Sequence, residues 1–377
     1  MAELTVTRSI AELPRDQWDR CFPGELESWD YYRAVEMADL AEFEWRYFAL
    51  QEGQDLIAVV PAFITDYRLD TTMQGPWKRV TEQINRRFPR LLALRLLSLG
   101  SPVGEICHLG FAPSVNETDK VVLLRQLLAG LDHHAADLGI GLLGIKDAAE
   151  RDGGVWQAAT RAEGYQRLPG LPTAHLPLPY ASEADYFARL SAGTRKDLRR
   201  KLKAASAIRI ERRHDLSDVR DQVMALYAET LDRSQLQFER LPAGYFEGVL
   251  RQLGDRASCF LYWAGDQLVA FNLVLHDRDR LIDKFLGMHY PAVPTYNLYF
   301  LSWMTNVRFC LANGIANYQS GQAGYGPKRR LGSALAPNWL YFRHRHPVLN
   351  RVLAVVGQLV RLDRFDDELA PSQREAA

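Results

Sequence analysis

The sequence predicts an α/β protein of two similar units, each a mixed, mostly antiparallel sheet flanked by helices. Three observations lead to this. At 377 residues the chain is too long for one ordinary core and suits two domains of middling size. Both halves run in the order hairpin, strand, long helix, strand, short helix, strand. Between them Pro169, Pro172, Pro177 and Pro179 exclude helix and mark a linker. The expected division is therefore 1–178, 179–346 and a C-terminal piece, 347–377.

In the first half, Ser28 precedes a helix carrying Trp29, Tyr32 and Val35. Trp45–Leu50 and Leu56–Ile64 flank Glu52-Gly53 as a hairpin, and Leu94–Leu99 is an apolar run fit for a buried strand. Thr118–Leu138 carries Val122, Leu123, Leu127, Leu128 and Leu131 at helical spacing and stops at Gly139. Gly141–Lys146 reads as a strand, Val155–Ala162 as a helix, and Tyr165–Leu178 as an extended exit. In the second half Asp185–Lys203 reads as one amphipathic helix, followed by a strand at Ile208–Arg212 and helices at Val219–Leu231 and Tyr245–Leu253. Cys259–Trp263 and Leu268–Leu275 form a hairpin about Gly265-Asp266, and Leu281–Met288 is a further strand. A helix over Leu298–Leu311 follows, capped by Asn297 and ended by Asn313-Gly314, with strands at Ile315–Tyr318 and Trp339–Arg343.

Composition excludes several classes of function. Lys+Arg and Asp+Glu balance at 46 each, so no global field points to DNA, and any electrostatic role is local. The four cysteines, Cys21, Cys107, Cys259 and Cys310, form no CxxC pair, which argues against a disulfide framework or a cysteine zinc site; no metal is expected. The first residues lack the apolar run of a signal peptide, and no stretch reaches the roughly 18 apolar residues of a membrane span. A cytoplasmic protein is expected.

The richest segment is Tyr296–Leu331. A helix is followed by a short strand and a Gly-rich turn, Gly321-Gln-Ala-Gly-Tyr325-Gly-Pro-Lys328-Arg-Arg330. Glycines let backbone approach a ligand closely, and cations wait behind them, as an anionic or carbonyl-bearing ligand requires. If the turn continues as helix, Tyr325 and Lys328 share one face. Lys328 could then hold a phosphate or acyl carbonyl and Tyr325 protonate a leaving group. On that reading Lys328→Ala should abolish transfer while leaving the melting temperature within a few degrees; Lys328-Arg329-Arg330 could equally be a solvated run. Gln319 and Ser320 could donate hydrogen bonds to an acyl or peptide group, and His289 in the preceding loop could act as a base. Asp283 and Lys284 place charge inside an otherwise apolar strand. Unpaired burial of charge is costly, so one face of that strand should open to a cleft.

Phe285-Leu-Gly-Met288, Tyr296-Asn-Leu-Tyr-Phe300, Gln319-Ser-Gly-Gln322, Tyr325-Gly-Pro-Lys328, Leu331-Gly332 and the lead-in Asp185-Tyr-Phe187 to Thr194-Arg-Lys-Asp-Leu-Arg-Arg200 resemble the Fem-type and BioF2-like (CelD-related) GNAT acyltransferases. The resemblance covers 180–345 by motif and the first half by layout. It implies tandem GNAT-like units, a degenerate first unit that supports the second or binds acceptor, and a second unit that moves an acyl or aminoacyl group to an amine. The implied donor is acyl-CoA or an aminoacyl-tRNA, and the implied acceptor a small molecule or a cell-envelope or glycan precursor. The GNAT turn that cradles pyrophosphate on backbone amides is replaced here by His289-Tyr-Pro-Ala-Val-Pro-Thr-Tyr296-Asn297, and two prolines lack N–H groups.

Phosphates would then lean on side chains. Arg195, Arg199 and Lys203 form one ridge of a local basic face, alongside the ligand-side residues Asn297, Gln319, Ser320, Gly321 and Gln322. A competing reading is a non-catalytic GNAT-derived module binding a phosphorylated lipid, glycan or RNA through this face. The amphipathic segment 347–364 is expected to dock on its own domain or on a partner subunit, or to touch a membrane surface peripherally, and the polar tail after Asp366 is expected to be disordered.

Overall fold

The computed structural model describes residues 2–68, 93–234 and 238–359. The chain divides into two compact units, one from 1–32, 40–172 and 337 onward, the other from 33–39 and 173–336.

The first unit holds β1 (Glu3–Thr7), α1 (Arg15–Cys21), the start of α2 (Trp29–Met37), β2 (Glu44–Glu52), β3 (Asp55–Arg68), β4 (Ala93–Leu99), β5 (Gly110–Phe111), α3 (Glu117–Asp137), β6 (Leu142–Ala149), α4 (Gly153–Ala162) and β7 (Gln166–Pro169). Its sheet runs β1-β2-β3-β4-β6-β15-β7, with β5 beside β3, where β15 is Asn338–His344 from the far end of the chain. The β2–β3 hairpin and the parallel β4–β6 pair form as the alternation predicts. Asn116 caps α3 by accepting from Asp119 N, and Gly139 takes the left-handed conformation that ends it. Leu124, Leu127, Leu128 and Leu131 of α3 pack with Ile145, Leu97 and Val60 in the core.

The second unit holds β8 (Thr173–Pro177), α5 (Glu183–Arg189), α6 (Ala192–Ala204), β9 (Ile208–Arg213), α7 (Arg220–Leu231), α8 (Ala243–Leu253), β10 (Ala257–Ala264), β11 (Gln267–His276), β12 (Arg280–Met288), α9 (Val293–Tyr296), α10 (Leu298–Asn313), β13 (Asn317–Gly321), α11 (Tyr325–Arg330) and β14 (Ala334–Ala336). Its sheet runs β14-β8-β13-β12-β11-β10-β9, antiparallel except for β12–β13. Trp303, Met304, Val307 and Cys310 of α10 pack against the sheet with Tyr318, Leu281 and Val274.

Three expectations are corrected. The proline-bearing exit is not a bare linker: Gln166–Pro169 closes the first sheet on β15, and Thr173–Pro177 lies in the second sheet between β13 and β14. The last strand, expected to finish the second unit, pairs with β6 and β7 of the first, so the second unit ends at Ala336 rather than 346. Asp185–Lys203 is two helices, because Ser191 restarts the chain by accepting from Thr194 N at 3.2 Å.

Helix α12 (Pro347–Leu359) packs on β15 and β7 and leaves Val348, Val352 and Val355 exposed. Residues 360–364 of the amphipathic segment and the polar tail lie outside the described residues. Among the described residues no helix is long and apolar enough to cross a membrane.

Inside the second unit, Ser258 lies 3.0 Å from His276 Nε2 and accepts from Arg212 Nε at 2.9 Å. Burial first, and then the Arg212 charge, push His276 down to about 4. A histidine that stays neutral in the fold but titrates near ~6.5 when unfolded takes up its proton preferentially in the unfolded chain. Stability should therefore fall as pH drops from about 6.5 to about 4, and His276→Gln should flatten that limb of a urea-melt pH series.

Candidate active site

The parallel strands β12 and β13 pair only from Arg280–Ile282 to Asn317–Gln319, while β12 runs on to Met288. Beyond Ile282 the two strands part. Both carry a bulge at that level: Lys284 is the extra residue between the Leu273–Phe285 and Val274–Asp283 pairs, and Ser320 the extra residue between Gln319–His175 and Gly321–Ala174. Bulges of this kind break pairing and re-aim side chains beside active sites.

Asp283 stands where the strands part. Its Oδ1 accepts from Asn272 Nδ2 of β11 at 2.5 Å, and its Oδ2 accepts from the Tyr318 hydroxyl at 2.9 Å and Asn306 Nδ2 of α10 at 3.2 Å. As a residue Asp283 is half-buried. Loss of solvent nevertheless pushes the carboxyl above the usual range, against the pull of its hydrogen bonds and the Lys328 charge. Asn272 Oδ1 and Asn306 Oδ1, on two of its partners, and the Tyr299 hydroxyl, which feels its charge, are buried with no hydrogen-bond partner. Buried polar atoms are nearly always satisfied, so three orphans about one raised carboxyl point to a ligand. The Tyr299 phenol is pushed up by burial and by Asp283, and so keeps its proton.

The Gly-rich turn does continue as helix. Gly321, Ala323 and Gly324 all have positive φ, at 81°, 65° and 62°. Ala323, which is not glycine, is therefore held in a sparsely populated conformation. In α11 Tyr325 and Lys328 share the buried side while Arg329 and Arg330 face solvent. Lys328 is only 6% exposed, and its Nζ donates to the Gly321 and Gln322 carbonyls at 3.1 and 3.3 Å. The solvated-run reading is thus wrong for Lys328, and its burial removes the ground for expecting Lys328→Ala to spare stability. Its ammonium both locks the turn and acts electrostatically on Asp283. Gln319 and Ser320 are buried at the end of β13 beside this turn, and Tyr325 is fully buried.

His289 lies elsewhere. It follows β12 six residues after Asp283, about 20 Å along an extended chain. Its Nδ1 lies 3.0 Å from Glu229 of α7, whose other oxygen accepts from Tyr290 N at 2.9 Å. Burial opposes ionisation of Glu229, yet these two hydrogen bonds hold it below its usual range. Asn297 caps nothing with its side chain. Its left-handed backbone (φ 51°) is the joint between α9 and α10, a conformation asparagine tolerates better than most residues.

Between 289 and 297 most of the backbone amides are already engaged. The amides of His289, Tyr290, Ala292, Val293 and Asn297 are bonded to Val269 O, Glu229 Oε1, His289 O, Tyr290 O and Val293 O, and Pro291 and Pro294 have none. On the basic helix, Arg195 Nη1 donates to Phe187 O at 3.3 Å and so holds the end of α5. Arg199 and Lys203 remain exposed, Arg199 with its guanidinium 5.5 Å from the Phe187 ring. Arg200 and Lys201 converge on Asp197 at 2.6 and 2.7 Å.

Residues 192–329 match a family model described as an acetyltransferase (GNAT) domain. The fold is that of a Fem-like tandem GNAT protein. More than nine-tenths of its length aligns with solved structures of low identity. The crystal structure of FemX gives a TM-score of 0.59 at 12% identity, over 93% of this chain and 100% of that one. A tandem GNAT protein from the clavulanic acid biosynthesis pathway gives 0.55 at 11%, over 92% and 99%. The C-terminal domain of a putative lysylphosphatidylglycerol synthetase from Agrobacterium fabrum gives 0.54 at 12%, over 92% and 96%. No curated protein matches the chain significantly. The GNAT match falls on the second unit and includes the parted strands, Asp283 and the Lys328 turn.

Sequence reasoning flagged Asp283 as an anomalous charge but did not place it among the site residues. Tyr299, Asn272 and Asn306 were missed. Nothing in their local pattern separates them from structural residues, since their significance comes from three elements converging on one carboxylate.

Proposed function

We propose that the second unit transfers an activated acyl or aminoacyl group to an amine, with Asp283 as the general base. The observation that carries this is the desolvated Asp283 carboxylate set where β12 and β13 part, beside orphaned polar atoms. An amine entering between the strands gives its proton to Asp283 as it attacks the carbonyl. The Tyr299 hydroxyl, still protonated and unpartnered, gives a proton to the leaving group. Asn272, Asn306 and Tyr318 hold the carboxylate in line and lower the cost of its charge. Lys328 fixes the turn that forms one wall.

The donor is an acyl-CoA or an aminoacyl-tRNA. Its phosphates do not rest on the 289–297 loop but on exposed cations, chiefly Arg199 and Lys203. The acceptor is a small amine or an envelope precursor. Calorimetry with acetyl-CoA and with charged tRNA tests the donor. The double variant Arg199→Gln, Lys203→Gln should weaken whichever binds by about 10-fold at low salt and reduce the salt slope by about two charges. Binding of neither donor, or binding with unchanged salt dependence in the variant, would remove this reading of the helix.

A further inference from the structure

A second cluster of reactive side chains lies in the first unit, apart from any residue invoked so far. Glu25 and Glu27 come from the segment between α1 and α2, and His108 from the segment between β4 and β5. One ligand atom from each lies within 4.8 Å of the others. The His108 and Glu27 side chains are each 3% exposed and Glu25 9%. His108 Nε2 points at Glu25 Oε1 at 3.7 Å and Glu27 Oε2 at 3.5 Å. The opposite nitrogen, Nδ1, is 2.7 Å from the Tyr32 hydroxyl. Phe22 and Tyr32 pack edge-on against the imidazole, at 81° and 87°, and fix its plane.

We propose that Glu25, Glu27 and His108 bind one divalent transition-metal ion, with zinc the expected occupant. The spacing carries the argument. An imidazolium paired directly with a carboxylate sits about 2.7–2.9 Å from it, and neither oxygen here comes that near. Two donors on one zinc, each about 2.0–2.2 Å from the ion at tetrahedral angles, stand roughly 3.4 Å apart. The two nitrogen–oxygen separations fall close to that value. Metal-binding histidines also engage their second nitrogen, which fixes the tautomer and ring orientation, and Tyr32 occupies that place. One nitrogen and two carboxylate oxygens suit a borderline to hard ion, and among those available such a set binds zinc more tightly than manganese. Three protein ligands leave a fourth position for water or a ligand atom. Cys107, although next to His108, is not a member of the cluster.

Chelator-treated full-length protein should take up one equivalent of Zn²⁺ and keep it through desalting, as read by elemental analysis. Co²⁺ in its place should give the intense visible bands of a four-coordinate site, and either ion should raise the melting temperature. His108→Ala and the near-isosteric Glu27→Gln should each retain less than a tenth of the metal. Tyr32→Phe, which removes only the partner of Nδ1, should weaken binding about 10-fold. Wild-type protein that holds no metal after desalting overturns the proposal and leaves a histidine shared between two carboxylates. Equal metal content in wild type and Glu27→Gln overturns it as well, and that comparison stands even if His108→Ala does not fold.

Discussion

Asp283→Asn is expected to cut turnover by about 10²–10⁴-fold, the usual contribution of a positioned base. Donor affinity should change little, because the carboxylate meets the acceptor amine rather than the donor phosphates. The loss therefore belongs in kcat. Fold stability should change modestly: the amide oxygen can still accept from Asn272, and the cost of a desolvated charge disappears. The wild-type profile has a defined sign. The base must be ionised to act, and burial raises its pKa, so kcat should climb with pH through a midpoint above the ordinary carboxylate range. A full-rate Asp283→Asn enzyme, or an acidic limb at the ordinary value of ~3.9, would end the assignment.

Lys328 carries the second large effect, and it acts twice. Lys328→Ala removes the Nζ donor from the Gly321 and Gln322 carbonyls and empties the space of a buried stem. An unsatisfied buried group costs about 1–3 kcal/mol, so a melting point several degrees lower is expected. Lys328→Met keeps most of the stem and removes only the charge. Because the ammonium lowers the Asp283 pKa, its loss should move the acidic limb of kcat to higher pH. A Met variant that is destabilised but keeps the wild-type limb would make Lys328 purely structural.

Local pattern made much of the fold legible. The helical period of Leu123–Leu131, the turn glycines Gly53 and Gly265, and the alternation of the hairpins specified elements that form as expected. Partner choice was not legible. Trp339–Arg343 reads as a strand in any sheet, and only long-range pairing sends it to β6 and β7. The site divides the same way. An aspartate in an apolar strand was conspicuous, but its three donors come from β11, α10 and β13. Lys328 misled because a Lys-Arg-Arg run normally faces solvent; two inward carbonyls of its own turn reverse that. His108 and its glutamates lie some 80 residues apart in sequence, with no ligand spacing to betray them.

The place of β15 also bears on how the chain is made. It lies in the interior of the first sheet, between β6 and β7, yet it leaves the ribosome after the whole second unit. Until residue 344 has emerged, β6 and β7 face each other across a missing strand. The second unit, continuous from 173 to 336 but for 33–39, can begin folding earlier. Synthesis order thus runs opposite to unit order: the nascent first unit carries open strand edges, a hazard for association, until its last piece arrives. A fragment cut at the proline-rich boundary would carry that hazard permanently, and the first unit is best produced with its C-terminal strand joined back by a short linker.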